Sequence, residues 1–82
     1  MKTYKTIIKK QAEKFIESRT KKEQERLISA IKKLPYADHI VKLQGKRNLY
    51  RLRVGDVRIQ YEKHDDVLVI LVIRADNRDD AY

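Results

Sequence analysis

Two alternating runs joined by two turn residues constrain this chain more than any other feature. LYRLRV (residues 49–54) sets Tyr50, Leu52 and Val54 against Leu49, Arg51 and Arg53. VRIQYEK (57–63) sets Val57, Ile59 and Tyr61 against Arg58, Gln60 and Glu62. A period of two over both runs marks strands with one buried face. Gly55-Asp56 between them has the length and composition of a tight hairpin turn. If the apolar phase faces a core, Arg51, Arg53 and Arg58 lie together on the opposite face. Like charges side by side on a sheet are destabilising, so an anion is expected there at least part of the time. The other reading is a solvated face, or pairing with Asp56, Glu62 and the C-terminal aspartates.

The rest of the chain supplies what this hairpin packs on. TYKTII (3–8) is rich in β-branched and aromatic residues and predicts a short strand. Ile8, Ala12, Phe15 and Ile16 recur at i, i+4, i+7 and i+8, one face of a helix. Ser18-Arg19-Thr20 breaks it. Thr20 with Glu23 fits a capping box, in which the hydroxyl accepts from the N3 amide and the carboxylate reaches back to the cap amide. A second helix follows, with Leu27, Ile28, Ile31 and Leu34 inward, and Pro35 stops it. VKL before Gly45 predicts a short strand, and VLVILVI (67–73), apolar throughout, a central strand covered on both faces or mostly so. The expected fold is one α+β domain over residues 1–82: an N-terminal strand, a helical hairpin, then an antiparallel β-sheet meander, in the order β-α-α-β-β-β-β.

Composition excludes several classes. At 82 residues the chain has no room for a second lobe or a nucleotide-binding domain. It has no Cys, hence no disulfide framework or thiol chemistry. No run of about 18 apolar residues is present, so no membrane-spanning helix is expected. No apolar segment follows Met1-Lys2-Thr3-Tyr4-Lys5, so no signal peptide is expected and the location is read as cytoplasmic. Two isolated histidines, His39 and His64, do not make a metal site. The formal charge is +8, and residues 65–82 hold five Asp against two Arg, so residues 1–64 carry +11. A basic body of this size attracts polyanions: nucleic acid, an acidic protein segment or an anionic surface.

The run YRLRVGDVRIQY (50–61) resembles the Y-R-[IL]-R-x-G-[DN]-[YW]-R-[IV]-x-Y pattern of the RelE/ParE superfamily of toxins from type II toxin–antitoxin systems. The resemblance extends over the whole chain. It takes in the N-terminal strand and helical hairpin, Leu43-Gln44-Gly45, the apolar last strand and the ending NRDDAY. It implies the RelE-like fold. Arg51 and Arg53 match the paired basic residues of RelE-like members, Arg58 matches the arginine of the next strand, and Arg78 and Tyr82 match an R-x-x-x-Y ending. The resemblance therefore implies the RelE branch: a ribosome-dependent endoribonuclease that cuts messenger RNA in the A site and so inhibits translation. The ending departs from the G-H-R-x-x-x-Y of many relatives, because Asp76-Asn77-Arg78 puts Asn77 where they carry histidine.

The implied chemistry is a metal-independent transesterification with no cofactor. A ribose 2′-OH attacks the adjacent phosphorus, giving a 2′,3′-cyclic phosphate and a free 5′-OH. The resemblance implies Tyr82 as base, Arg58 and Arg78 as the phosphate clamp, and Arg51, Arg53, Lys46 and Arg47 as RNA-binding residues. Implied partners are a cognate antitoxin, the ribosome and messenger RNA, with no membrane and no DNA reading by the toxin alone. The alternatives are a ParE-like, non-nucleolytic inhibitor of DNA gyrase and a degenerate toxin kept as an antitoxin-binding partner.

Overall fold

A computed structural model describes residues 2–77. The elements run β1 (Lys5–Ile8), α1 (Lys10–Glu17), α2 (Lys21–Lys32), β2 (Ile40–Lys42), β3 (Leu49–Val54), β4 (Val57–His64) and β5 (Val69–Asn77). They form one five-stranded sheet in the order β1-β5-β4-β3-β2. The meander β2 to β5 is antiparallel throughout, and β1 adds to the far edge parallel to β5. The chain thus starts at one edge of the sheet and must reach the other to begin β2. Four strand spacings amount to about 19 Å, and a helix of α2's length spans about 18 Å. The helical hairpin bridges that width, α1 lying against β5 and α2 against β3.

Burial follows the apolar phases. Ala12 and Ile16 of α1, Leu27 and Ile31 of α2, and Leu34 pack on Leu52, Val57, Ile59, Tyr61, Ile70, Val72 and Ala75 of the sheet. Tyr50 and Tyr61 pair across β3 and β4 and stack, with ring centroids 5.6 Å apart and planes at 17°. Ile8, expected to open the first helix, ends β1 instead, opposite Val72. The Thr20 cap forms on one side: the Glu23 amide donates to Thr20 Oγ1 at 3.2 Å. The Glu23 carboxylate turns to the Arg19 guanidinium at 2.9 Å and accepts the Thr20 hydroxyl at 3.4 Å.

The last strand departs most from expectation. Asp65 to Leu68 are all turn, with Leu68 at φ 54°, so β5 begins at Val69 and Val67 is left 63% exposed. At its other end β5 continues past the apolar run to Asn77, paired with Val57. The register with β4 shifts between Gln60 and Tyr61, so Gln60 pairs with Arg74 and Tyr61 with Val72. Ile73 is the extra residue of a β-bulge. The bulge changes the phase of β5: Ile70 and Val72 are buried before it and Ala75 after it, while Arg74 turns to the other face. Val69, Leu71 and Ile73 are half-buried, so β5, inside the sheet between β1 and β4, is covered fully on one face and partly on the other.

Beyond the end of β1, the outer edge of β5 is satisfied by a side chain. The Gln11 amide donates to the Ala75 carbonyl at 3.1 Å and accepts from the Ala75 N–H at 2.9 Å. Gln11 therefore replaces one residue of an absent neighbouring strand and holds β5 just where it carries Arg74 and Asp76. Gln11→Leu leaves both Ala75 groups without these partners, which should cost about 1–3 kcal/mol. Hydrogen exchange should show a faster Ala75 amide, and an unchanged rate would deny Gln11 this role.

Leu52 is 1% exposed at the centre of the core, so Leu52→Ala should destabilise by about 2–5 kcal/mol in denaturant unfolding. Alkaline stability should follow the tyrosines. Burial, then the neighbouring Tyr50 phenol, pushes Tyr61 up to about 12. The hydrogen bond to Asp65 and partial burial push Tyr4 up to about 12. In the unfolded chain both ionise near about 10. Their contribution is therefore full below pH 10 and declines as pH rises from 10 towards 12. Tyr61→Phe should flatten the fall in unfolding midpoint over that interval.

Candidate functional site

With both helices on one face, no described residue covers the other, and the ladder fixes what lies there. In one row across the sheet Arg53 of β3 stands opposite Arg58 of β4, which stands opposite Asp76 of β5. In the next row Val41 of β2, Arg51, Gln60 and Arg74 stand side by side. Directly opposed residues on one face have Cβ atoms about 4.5–5.5 Å apart. Four arginines on three adjacent strands thus share a patch with one acid, Asp76. Arg51 and Arg58 are half-buried at the sheet surface, while Arg53 and Arg74 are exposed.

Local contacts aim these groups. Arg53 Nε donates to the Gly55 carbonyl at 3.4 Å, drawing that side chain towards the hairpin turn. Gly55 has φ +59°, and a Cβ there would lie 3.2 Å from the Arg26 guanidinium. The turn therefore needs glycine both for its left-handed backbone and for the close approach of α2. Arg74 Nε is hydrogen-bonded to the Asp76 carboxylate, which makes the guanidinium still harder to deprotonate. That ion pair offsets the negative charge that Asp76 brings to the patch.

Of the residues expected at the site, the fold brings together Arg51, Arg53 and Arg58. Lys46 and Arg47 are placed elsewhere: they are exposed in the loop between β2 and β3, next to Gly45. That loop enters β3 at Leu49, the end opposite Arg53, and about 13 Å of strand separates Leu49 from Arg53. Arg78 and Tyr82 lie outside the described residues. Asn77 closes β5 opposite Val57, one position beyond Asp76. Arg74 and Gln60 were not singled out from the sequence. Gln60 could have been, because it shares the phase of Arg58. Arg74 could not, because only the bulge at Ile73 puts it on the same face. Among the described residues, no three His, Asp or Glu side chains converge as a metal site would need.

The chemistry open to this patch is recognition of a phosphodiester backbone. Each guanidinium donates in a planar fork that matches two phosphate oxygens. Several held on a sheet need little rearrangement to surround a charge that develops at phosphorus.

The family model that describes the ParE toxin of the type II toxin–antitoxin system parDE matches residues 2–82. No curated protein matches the chain. Among solved structures, a chain of the RelE–RelB complex of Pyrococcus horikoshii is 30% identical, with a TM-score of 0.80 over 98% of this chain and 100% of that one. A chain of the RelB–RelE antitoxin–toxin complex of Methanococcus jannaschii is 25% identical, with a TM-score of 0.73 over 89% of this chain and 91% of that one. The isolated Escherichia coli RelE toxin, 20% identical with a TM-score of 0.72 over 92% of this chain and 84% of that one, shares the fold. A full-length family match, an archaeal RelE relative and an arginine-lined sheet face meet in one conclusion: this chain is a toxin of the RelE/ParE superfamily of type II toxin–antitoxin systems.

Proposed function

We propose that the protein is a ribosome-dependent endonuclease that cleaves messenger RNA in the A site, without a metal, and so inhibits translation in the cytoplasm. The observation that carries this reading is the pairing of Arg53 with Arg58 beside Arg51 and Arg74 on the open face. A binding surface for a protein target has little need of four guanidiniums within two ladder rows. A phosphodiester in its pentacoordinate state carries one more negative charge than in its ground state, spread over oxygens that arginine forks fit.

In this mechanism Arg58 and Arg78 hold the scissile phosphate, and Arg51 and Arg53 hold the flanking backbone. Tyr82 takes the 2′-OH proton. A free phenol ionises near about 10, and surrounding guanidiniums favour the phenolate. The 2′-oxygen attacks phosphorus, the bond to the 5′-oxygen breaks, a solvent water gives the leaving oxygen its proton, and a 2′,3′-cyclic phosphate and a 5′-OH result. Arginine is too weak an acid to protonate the leaving oxygen efficiently, so its contribution is electrostatic. The relatives of known structure occur with RelB antitoxins, and the +11 balance of residues 1–64 suits an acidic antitoxin segment here.

The ParE description of the matching family favours a second reading, inhibition of DNA gyrase without RNA cleavage. One experiment separates the two. The protein is induced in cells, and 5′ ends of messenger RNA on ribosomes are mapped alongside a gyrase supercoiling assay. New 5′-OH ends within A-site codons are expected. Arg58→Ala should lower cleavage about 10²–10³-fold without unfolding the protein, because Arg58 stands on the open face. Growth arrest with inhibited supercoiling and no new ends would replace the nuclease with the gyrase inhibitor.

A further inference from the structure

A second group of basic side chains lies on the other side of Arg53 from the arginine patch. Arg26, Lys33, His39 and Arg53 line a cavity of about 320 Å³ between α2, the segment that follows it and the end of β3. Among the described residues its only acid is Asp38. Next to it, Lys2, Tyr4, Lys32, Lys33 and Tyr36 line a cavity of about 540 Å³. The two cavities share Lys33 and Tyr36. Both fall in the roughly 300–1,000 Å³ range of small-ligand sites. Arg53 belongs to the open face and also to the first cavity, so the positive surface continues around the sheet edge.

Tyr36 gives this surface its character. Its ring is 51% exposed, yet it is held at both ends. The hydroxyl donates to the Lys2 carbonyl at 3.0 Å, and the ring meets Tyr4 in an edge-to-face contact at 6.4 Å. Tyr4 is itself tied through its hydroxyl to Asp65. An exposed aromatic ring fixed in advance loses little entropy when something stacks on it. An acidic peptide would use the lysines but has no need of a ring face. A nucleic-acid strand needs both, because bases stack on aromatic rings while cations follow the phosphates.

We propose that this surface is a single-stranded RNA track, which carries the strand from Arg53 around the sheet edge to a base-stacking platform at Tyr36. The identity of the ligand rests on the nuclease reading. Phosphates lie against Arg26 and Lys33, and a base stacks on Tyr36 with Lys2 and Lys32 at the next phosphate.

The test reads binding rather than cleavage. A short fluorescein-labelled single-stranded RNA of mixed sequence is titrated with the full chain carrying Arg58→Ala, and anisotropy is followed over a salt series. Adding Tyr36→Ala should weaken binding about 5- to 100-fold. Tyr36→Phe keeps the ring and its edge contact with Tyr4 but loses the hydroxyl's bond to Lys2, so it should lose far less affinity than Tyr36→Ala, which controls for folding. Lys33→Gln should lower the slope of log affinity against log salt by about 0.7. An affinity unchanged by Tyr36→Ala overturns the track, as does loss of poly-glutamate binding in Tyr36→Ala with RNA binding intact. RNA binding through Tyr36 in a protein that yields no new 5′ ends sinks the nuclease and leaves the track standing. Cleavage with RNA affinity indifferent to Tyr36 does the reverse.

Discussion

The register of β3 against β4 is the constraint on which the rest depends. Val54 pairs with Val57 across a two-residue turn, and from there Leu52 meets Ile59, Tyr50 meets Tyr61 and Arg53 meets Arg58. A slip by one residue would exchange the faces. It would drive either Arg51 and Arg53 of β3 or Arg58 of β4 into the core under the helices and cost about several kcal/mol for each buried charge. The alternation that builds the core therefore also assembles the arginine patch. Gly55 holds the turn in the left-handed region, under the guanidinium of Arg26, so the hairpin and α2 are fitted to each other at the same point.

Elements specified by local chemistry were legible before the structure. The β3–β4 hairpin, the Thr20 cap, the α2 face and the grouping of Arg51, Arg53 and Arg58 follow from period, turn composition and capping chemistry. What was not legible depends on neighbours distant in sequence. An all-apolar run carries no phase, so neither the start of β5 at Val69 nor the bulge at Ile73 was readable from VLVILVI. Arg74 was missed for that reason. The parallel docking of β1 on β5 and the Gln11 bridge to Ala75 join residues more than sixty positions apart. No local pattern announces them. Lys46 and Arg47 were grouped with Arg51 by proximity in the chain, but strand geometry carries them to the other end of β3.

The patch is costly to the fold only in small measure. Like charges directly opposed on a sheet cost about 0.2–1 kcal/mol per pair, against a total stability of about 5–15 kcal/mol for a domain. The Arg74–Asp76 pair recovers part of this. A sheet can therefore hold Arg53 facing Arg58 while no ligand is bound. Under the proposed nuclease reading the benefit comes with the phosphodiester, because donors already in place need no reorganisation as charge develops. The modest repulsion is consistent with selection for binding an anion rather than for stability.

The path of the chain leaves such a face. The two helices carry the chain from β1 at one edge to β2 at the other, and in doing so they cover a single face of the sheet. No described residue covers the other. The open face must then be made compatible with water or with a partner. Its two ends solve this differently. The end near the β3–β4 turn carries Arg53, Arg58, Arg51 and Arg74, while the end near the start of β1 carries Ile7, Leu71 and Val69 beside Glu62 and His64. Ile7 is 43% exposed there. The two ends thus divide one sheet face by chemistry, with guanidiniums clustered at one and apolar side chains at the other.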